Sequence, residues 1–126
     1  MDASKLESRV IEITILLACD GKTQIESFPN FVHVPDEIAL ELDDTINLLQ
    51  NSDFNKMKYN YLKLINKIFS TKAGNSHFWT IECILSGKEW KVIRDIATRG
   101  LVELSIEMRK PNLFWVSYIK DNYFDK

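Results

Sequence analysis

The chain has 126 residues, of which 45% are apolar and 27% charged, with four glycines and three prolines. These values exclude a disordered or fibrous chain and are typical of one globular domain, which we predict over residues 1–126. Residues 1–50 hold three basic and ten acidic side chains, whereas residues 51–126 hold thirteen basic and eight acidic ones. A chain with this distribution can present an acidic and a basic surface.

Cys19 and Cys83 are the only cysteines. Two thiols in a chain of this length do not make a disulfide framework, so we predict a reducing, cytoplasmic location. The alternative is a lipoprotein signal, because a Leu-Leu-Ala-Cys sequence ends at Cys19 and follows Lys5 and Arg9. Its apolar stretch is short and interrupted by acidic residues. No stretch approaches the roughly 20 apolar residues of a membrane span, and no membrane contact is predicted.

The first predicted element is a helix over residues 5–19. Ser4 and Glu7 form a capping-box pattern at its start, and apolar residues follow at helical spacing. A strand is the alternative, because isoleucines alternate with polar residues over positions 11–15 and β-branched residues are mediocre helix formers. Asp20 and Gly21 then predict a stop.

Two further helices are predicted after an irregular connection over residues 21–35, in which prolines interrupt regular structure. They run over residues 36–50 and 53–70, where apolar residues recur at steps of three and four. The short connection between them indicates an antiparallel pair. The first of the two carries five acidic residues: Asp36, Glu37, Glu41, Asp43 and Asp44. The second carries lysines.

In the C-terminal half, the sequence predicts a strand, a helix and a β-hairpin. Residues 77–85 alternate as a strand does, although a short helix also fits. A second capping-box pattern starts a helix over residues 86–100. Two strands are then predicted over residues 102–108 and 113–119, joined by a turn over residues 109–112. The predicted fold is therefore α+β, with three N-terminal helices followed by a strand, a helix and a β-hairpin.

The junction Arg99-Gly100-Leu101-Val102-Glu103, between the predicted helix and hairpin, resembles the recognition helix and wing of winged-helix domains. The resemblance covers residues 76–119. It implies a DNA-binding regulator, with its contacts divided between the helix and the wing. The helix contacts would be Lys88, Lys91, Arg94 and Thr98, and the wing contacts Arg109 and Lys110. Asp95 would repel phosphate from the middle of this face, and the net charge is negative, which disfavours nucleic acid.

Catalytic constellations are not recognisable in the sequence. The spacing of His33 and His77 from other residues suggests neither a nucleophile nor a metal partner. Cys83 is predicted to be a thiol in the apolar core. There is no glycine-rich phosphate loop, no Cys-x-x-Cys and no oxygen-ligand loop for calcium. We therefore predict a protein that is not an enzyme and has no cofactor or metal site.

Protein binding is the leading functional hypothesis. An acidic helix face on a small domain is similar in character to bacterial immunity proteins, which neutralise cationic nuclease toxins. On this hypothesis the acidic residues at positions 36, 37, 41, 43 and 44 contact lysines or arginines of a basic toxin partner. Tyr61 or Trp115 could serve as an aromatic anchor, although packing is the more ordinary role for Trp115. The alternative is the winged-helix DNA-binding regulator.

Overall fold

The structure is a computed structural model, and it describes residues 2–54 and 56–117. Six α-helices and one 3-10 helix are present within these ranges, and no β-strand is. The helices are α1 (Ala3–Ala18), α2 (Gly21–Glu26), α3 (Val34–Gln50), α4 (Asn60–Thr71), α5 (Ile81–Ser86) and α6 (Lys88–Glu103), with the 3-10 helix (Lys56–Tyr59) before α4. The predicted α+β fold is therefore wrong, although helices do lie near the four predicted helical segments.

The first helix lies at the centre of the molecule. It packs against both α3 and α6, and every side chain over residues 9–17 is buried except the half-buried Ile11. Because this stretch is buried on nearly every side, its apolar residues are not confined to one stripe, and this explains why its sequence also resembled a strand. The helix prediction over residues 5–19 is confirmed and the strand alternative is wrong. Asp2 provides the cap in place of Ser4, because its carboxylate accepts a 2.8 Å hydrogen bond from the backbone N–H of Lys5.

The lipoprotein interpretation conflicts with this central position. Cys19 is 1% exposed, and Leu16 and Leu17 are completely buried. Cleavage before Cys19 would remove the helix around which the others pack. None of the helices in the described ranges is long and apolar enough to cross a bilayer.

The segment predicted to be irregular over residues 21–35 contains α2. Its cap is Asp20, whose carboxylate accepts a 2.7 Å hydrogen bond from the backbone N–H of Thr23. Gly21 does not end α1, as was predicted, because α1 ends at Ala18 with Cys19 as its C-cap; Gly21 begins α2 where that helix meets α5. A Cβ atom at Gly21 would lie 2.9 Å from the carbonyl oxygen of Ile84, so the close approach requires glycine.

The strand predicted over residues 77–85 is replaced by turns and by α5. Thr80 caps this helix by accepting a 3.1 Å hydrogen bond from the backbone N–H of Cys83. The alternation was misleading because two of the apolar residues in its pattern, Ile81 and Leu85, are 41% and 53% exposed. The short helix, left open as an alternative, is the structure that forms.

The predicted β-hairpin is also absent from the described residues, because α6 continues through Gly100. Gly100 packs against the ring of Tyr61, where a Cβ atom would lie 2.7 Å from the nearest ring carbon. The helix ends in a Schellman motif around Ser105, which has a φ of 59°. The N–H of Ile106 donates to the carbonyl of Leu101 at 2.9 Å.

Residues 106–117, the C-terminal segment, then run without a strand along the helices. Leu113 and Val116 from this segment enter the main apolar core. Positions 118 and 119 of the predicted final strand lie outside the described residues.

Candidate protein-binding site

The outer surface of α3 presents an exposed leucine among carboxylates. Leu40 is 52% exposed, and four acidic residues occupy the positions three and four residues before and after it. These positions are the nearest neighbours of a side chain on a helix surface. Asp36, Asp43 and Asp44 are exposed and Glu37 is half-buried. We call Leu40 and these four carboxylates the acidic face.

Glu41, predicted to belong to the acidic face, lies inside the protein. It is 9% exposed, and its carboxylate accepts a 2.7 Å hydrogen bond from the indole N–H of Trp115. The guanidinium of Arg9 lies 3.6 Å from the same carboxylate oxygen. Glu41 therefore links α3 to α1 and to the C-terminal segment, and the prediction that it contacts a partner is not supported by its position.

Arg9 connects the same three elements from the side of α1. It is 7% exposed, its Nε donates a 2.9 Å hydrogen bond to the hydroxyl of Thr45, and its guanidinium carbon lies 4.9 Å from the ring centroid of Trp115. Burial lowers the pKa of Arg9, and the negative charges of Glu41 and Asp44 oppose that change. The arginine stays charged because its ordinary pKa is far above neutral.

Glu37 connects the buried pair of Arg9 and Glu41 to the acidic face. Burial is the largest cause of a raised pKa at Glu41, and the hydrogen bond from Trp115 opposes it. A side-chain hydrogen bond between Glu37 and Glu41 and the nearby charge of Glu37 raise the pKa of Glu41 further. Glu37 thus has an internal partner as well as a half-exposed position.

Asp36 and Asp43 of the acidic face each contact another side chain. Asp36 lies 3.7 Å from the Nε2 atom of His33, and both side chains are more than half exposed. Asp43 accepts a 3.2 Å hydrogen bond from the side-chain amide of Asn66 on α4. His33 also lies 3.1 Å from the carbonyl oxygen of Trp79, which gives it a structural contact.

Neither aromatic residue considered as an anchor lies on the acidic face. The hydroxyl of Tyr61 lies 2.8 Å from that of Thr14, and burial raises the pKa of Tyr61 to about 12. Trp115 is half-buried against Glu41. The apolar residue at the centre of the face is Leu40, which sequence reasoning missed. The signal was present, because Leu40 lies off the predicted buried stripe and is flanked by acids at helical spacing.

The residues implied by the winged-helix resemblance are in part used inside the protein. Arg94 donates a 2.9 Å hydrogen bond to the carbonyl of Ile84 and is half-buried. Arg109 forms an ion pair with Glu12, with its Nη1 2.8 Å from a carboxylate oxygen, and the N–H of Asn112 donates to the same carboxylate at 2.7 Å. No hairpin forms in the described residues, so Arg109 and Lys110 do not lie on a wing. The prediction of a winged-helix-like C-terminal half is therefore wrong.

Lys88, Lys91 and Thr98 are exposed on α6, as the resemblance implied. Lys91 is paired with Asp95, however, at 3.2 Å.

The two cysteines are free and buried. Burial raises the pKa of the Cys19 thiol to about 11 and also raises the pKa of Cys83, so both thiols are protonated at neutral pH. Within residues 2–54 and 56–117, no group of three or more histidine, cysteine or acidic side chains is placed to hold a metal ion. Comparisons with protein-family models, with curated proteins and with solved structures gave no match.

Proposed function

We propose that this protein binds a basic protein partner through the acidic face of α3 and neutralises it by one-to-one binding, as an immunity protein neutralises a toxin. The observation that carries the proposal is the half-exposed Leu40 at the centre of four carboxylates. Protein interfaces combine an apolar centre with a polar rim, and the acidic face offers both on one helix. The proposed activity is binding without catalysis, in the cytoplasm, where free thiols persist.

The two parts of the face would contribute differently to binding. Leucine burial supplies affinity, because removing apolar area from water is favourable by about 25 cal/mol per Å². Exposed aspartates contribute little to affinity individually, but a cluster of one sign accelerates encounter with a basic partner and disfavours acidic ones. We therefore expect Leu40 to control dissociation and the aspartates to control association.

The buried side of α3 supports the face by holding the helix in place. Thr45 and Glu41 both contact Arg9 on α1, and Ile38 and Leu42 are completely buried. A face fixed by such contacts loses little conformational freedom when a partner binds. The buried polar contacts thus provide a rigid base for the exposed residues.

The test is a binding titration with the protein encoded beside this chain. We expect a basic protein that forms a one-to-one complex, with association that slows as salt increases. Leu40→Ser should weaken the complex at least tenfold through faster dissociation. The triple variant Asp36→Asn, Asp43→Asn and Asp44→Asn should slow association and reduce its salt dependence.

The matched control is Leu85→Ser, because Leu85 is 53% exposed on α5, away from the acidic face. It should leave binding unchanged. Thermal unfolding establishes that each variant folds. If folded Leu40→Ser and triple variants bind as the original chain does, the acidic face is not the interface. If the neighbouring protein forms no complex, the toxin assignment is overturned.

A further inference from the structure

The helices α4 and α6 pack side by side in opposite directions. Near the start of α4, the ring of Tyr61 lies against Gly100, close to the end of α6. Just after the end of α4, the Nζ atom of Lys72 lies 3.1 Å from the carboxylate of Glu89, near the start of α6. These two contacts fix how α4 and α6 are aligned. The solvent-facing sides of the two helices therefore lie next to each other along their length.

Four apolar side chains follow this outer edge. Leu64 and Ile68 come three and seven residues after the tyrosine, and Ile96 and Val92 come four and eight residues before the glycine. Helical periodicity places each pair on the side of its helix that meets the other helix. Leu64 is 51% exposed and Val92 is 48% exposed, while Ile68 and Ile96 are half-buried against the core. We call these four residues the α4–α6 seam.

Cations without ion-pair partners border the seam. Lys67 on α4 and Arg99 on α6 are exposed and form no ion pair with any described residue. Each lies within three residues of a seam residue. Asp95, next to Ile96, is exposed as well, but its carboxylate pairs with Lys91 at 3.2 Å. Glu103 lies near Tyr61 at one end and reduces the positive charge there. An apolar strip with a cationic border is complementary to an apolar strip with an anionic border.

We infer that the α4–α6 seam binds an acidic amphipathic helix of a partner protein. Two antiparallel helices form a groove into which the apolar side of a third helix can pack, as in helical bundles. Recognition of such a helix uses apolar anchors at positions i, i+3, i+4 and i+7. Its acidic flanks would meet Lys67 and Arg99. This surface lies on different helices from the acidic face, so the inference does not depend on the proposed function.

The probe is a fluorescein-labelled peptide of about five helical turns, composed of leucine and glutamate with the leucines on one side. We expect binding to the full chain in the range of about 10 μM by fluorescence anisotropy. A scrambled peptide of identical composition should bind at least tenfold more weakly. Leu64→Ser with Val92→Ser, and separately Lys67→Glu with Arg99→Glu, should each weaken binding by a similar factor.

Two controls keep the effect specific to the seam. Leu85→Ser removes an equally exposed leucine from α5, and Leu40→Ser removes the centre of the acidic face, so neither should change peptide binding. Circular dichroism and thermal unfolding establish that the seam variants fold. An effect of Leu40→Ser equal to that of the double variant Leu64→Ser and Val92→Ser would overturn the assignment to the seam.

Three other results also overturn the inference. Equal binding of the scrambled peptide would mean attraction by charge alone. Stronger seam-dependent binding to vesicles of phosphatidylcholine and phosphatidylserine would assign the seam to an anionic membrane surface. Concentration-dependent self-association in sedimentation, abolished by Leu64→Ser, would assign it to a second copy of this chain.

Discussion

The central helix α1 and the C-terminal segment are held in the protein by different kinds of interaction. Val10, Ile13 and Leu16 of α1 are completely buried among apolar side chains. The C-terminal segment also contributes two core residues, but its polar groups are held by Glu12 and Glu41, two buried carboxylates that belong to helices. The first kind of contact is non-directional, whereas the second depends on hydrogen-bond geometry and on the charge of each carboxylate.

The difference teaches what a substitution should do in each region. Loss of an apolar group from α1 leaves a cavity at the centre and lowers the stability of the whole fold. Loss of a carboxylate leaves buried hydrogen-bond donors without an acceptor. It should first weaken the structure around those donors. Two substitutions, at Ile13 and at Glu41, separate these outcomes. A titration of Cys19 and a substitution of Ser105 then test positions that border the two regions.

Ile13→Ala should have the largest effect. Ile13 is completely buried in α1, so we expect the free energy of unfolding to fall by about 3 kcal/mol. Chemical denaturation should show a lower midpoint with an unchanged slope, because the whole structure unfolds together. Ile11→Ala is the control, since Ile11 is half-buried on the same helix and should cost less. Equal losses at both positions would contradict a central α1.

Glu41→Ala should have the next largest effect, because it leaves the Trp115 indole N–H without its acceptor and removes the carboxylate beside Arg9. We expect a loss of about 2 kcal/mol. The indole N–H resonance of Trp115 should exchange faster with solvent than those of the other two tryptophans. Glu41→Gln, which retains an acceptor for the indole, should lose less stability. An unchanged Trp115 resonance would show that Glu41 does not hold the segment.

Alkaline pH should lower the stability of the fold through Cys19, which follows α1 and whose Sγ atom lies 4.0 Å from the carbonyl oxygen of Arg109 in the C-terminal segment. Burial raises the pKa of Cys19 from its ordinary value near 9 to about 11. The folded state therefore keeps a proton that the unfolded chain releases, and this contribution to stability is present below pH 9 and lost towards pH 11. We expect a loss of about 1 kcal/mol by pH 10.

The control for this titration is Cys19→Ala, compared with the original chain by denaturation at several pH values. The variant should show a shallower decline between pH 9 and 10. Tyr61, whose pKa burial raises to about 12, should account for further loss at higher pH. Identical pH profiles for both chains would exclude Cys19 as the cause.

Ser105→Gly should have the smallest effect and the opposite sign. Ser105 adopts a left-handed conformation with a φ of 59°, which disfavours residues with a side chain. Glycine relieves this strain at some cost in unfolded-chain entropy, so we expect a gain of about 0.5 kcal/mol. Thermal unfolding measures the change, and Ser105→Ala should instead be neutral or destabilising. A loss of stability with glycine would mean that the serine hydroxyl, rather than the turn, matters here.

The helices were predictable because their apolar spacing is local. The periodic stripe from Ile38 to Leu49 predicted α3, and its buried side chains are those expected. The strands were wrong because alternation does not show what lies around a residue. In the stretch predicted as the first hairpin strand, Val102 is 73% exposed and Met108 is 50% exposed, so its alternating residues do not form one buried face.

The site was predictable in part for the same reason. The acidic residues of α3 are visible in the sequence, and their spacing predicts one face. The burial of Glu41 is not visible, because its partners are Arg9 on another helix and Trp115, which is 74 residues away. Contacts over such distances follow from the packing of whole helices, which local spacing does not determine.

The central position of α1 has a consequence for synthesis of the chain. The ribosome releases this helix before the groups that surround it, which come from α3, α6 and the C-terminal segment. Asn112, which contacts Glu12, is 100 residues later in the chain. The nascent helix therefore exposes its apolar side chains until the C-terminal segment has emerged. The core cannot close until the C-terminal segment has left the ribosome, and the nascent domain should depend on chaperones more than one whose central helix is synthesised after its neighbours.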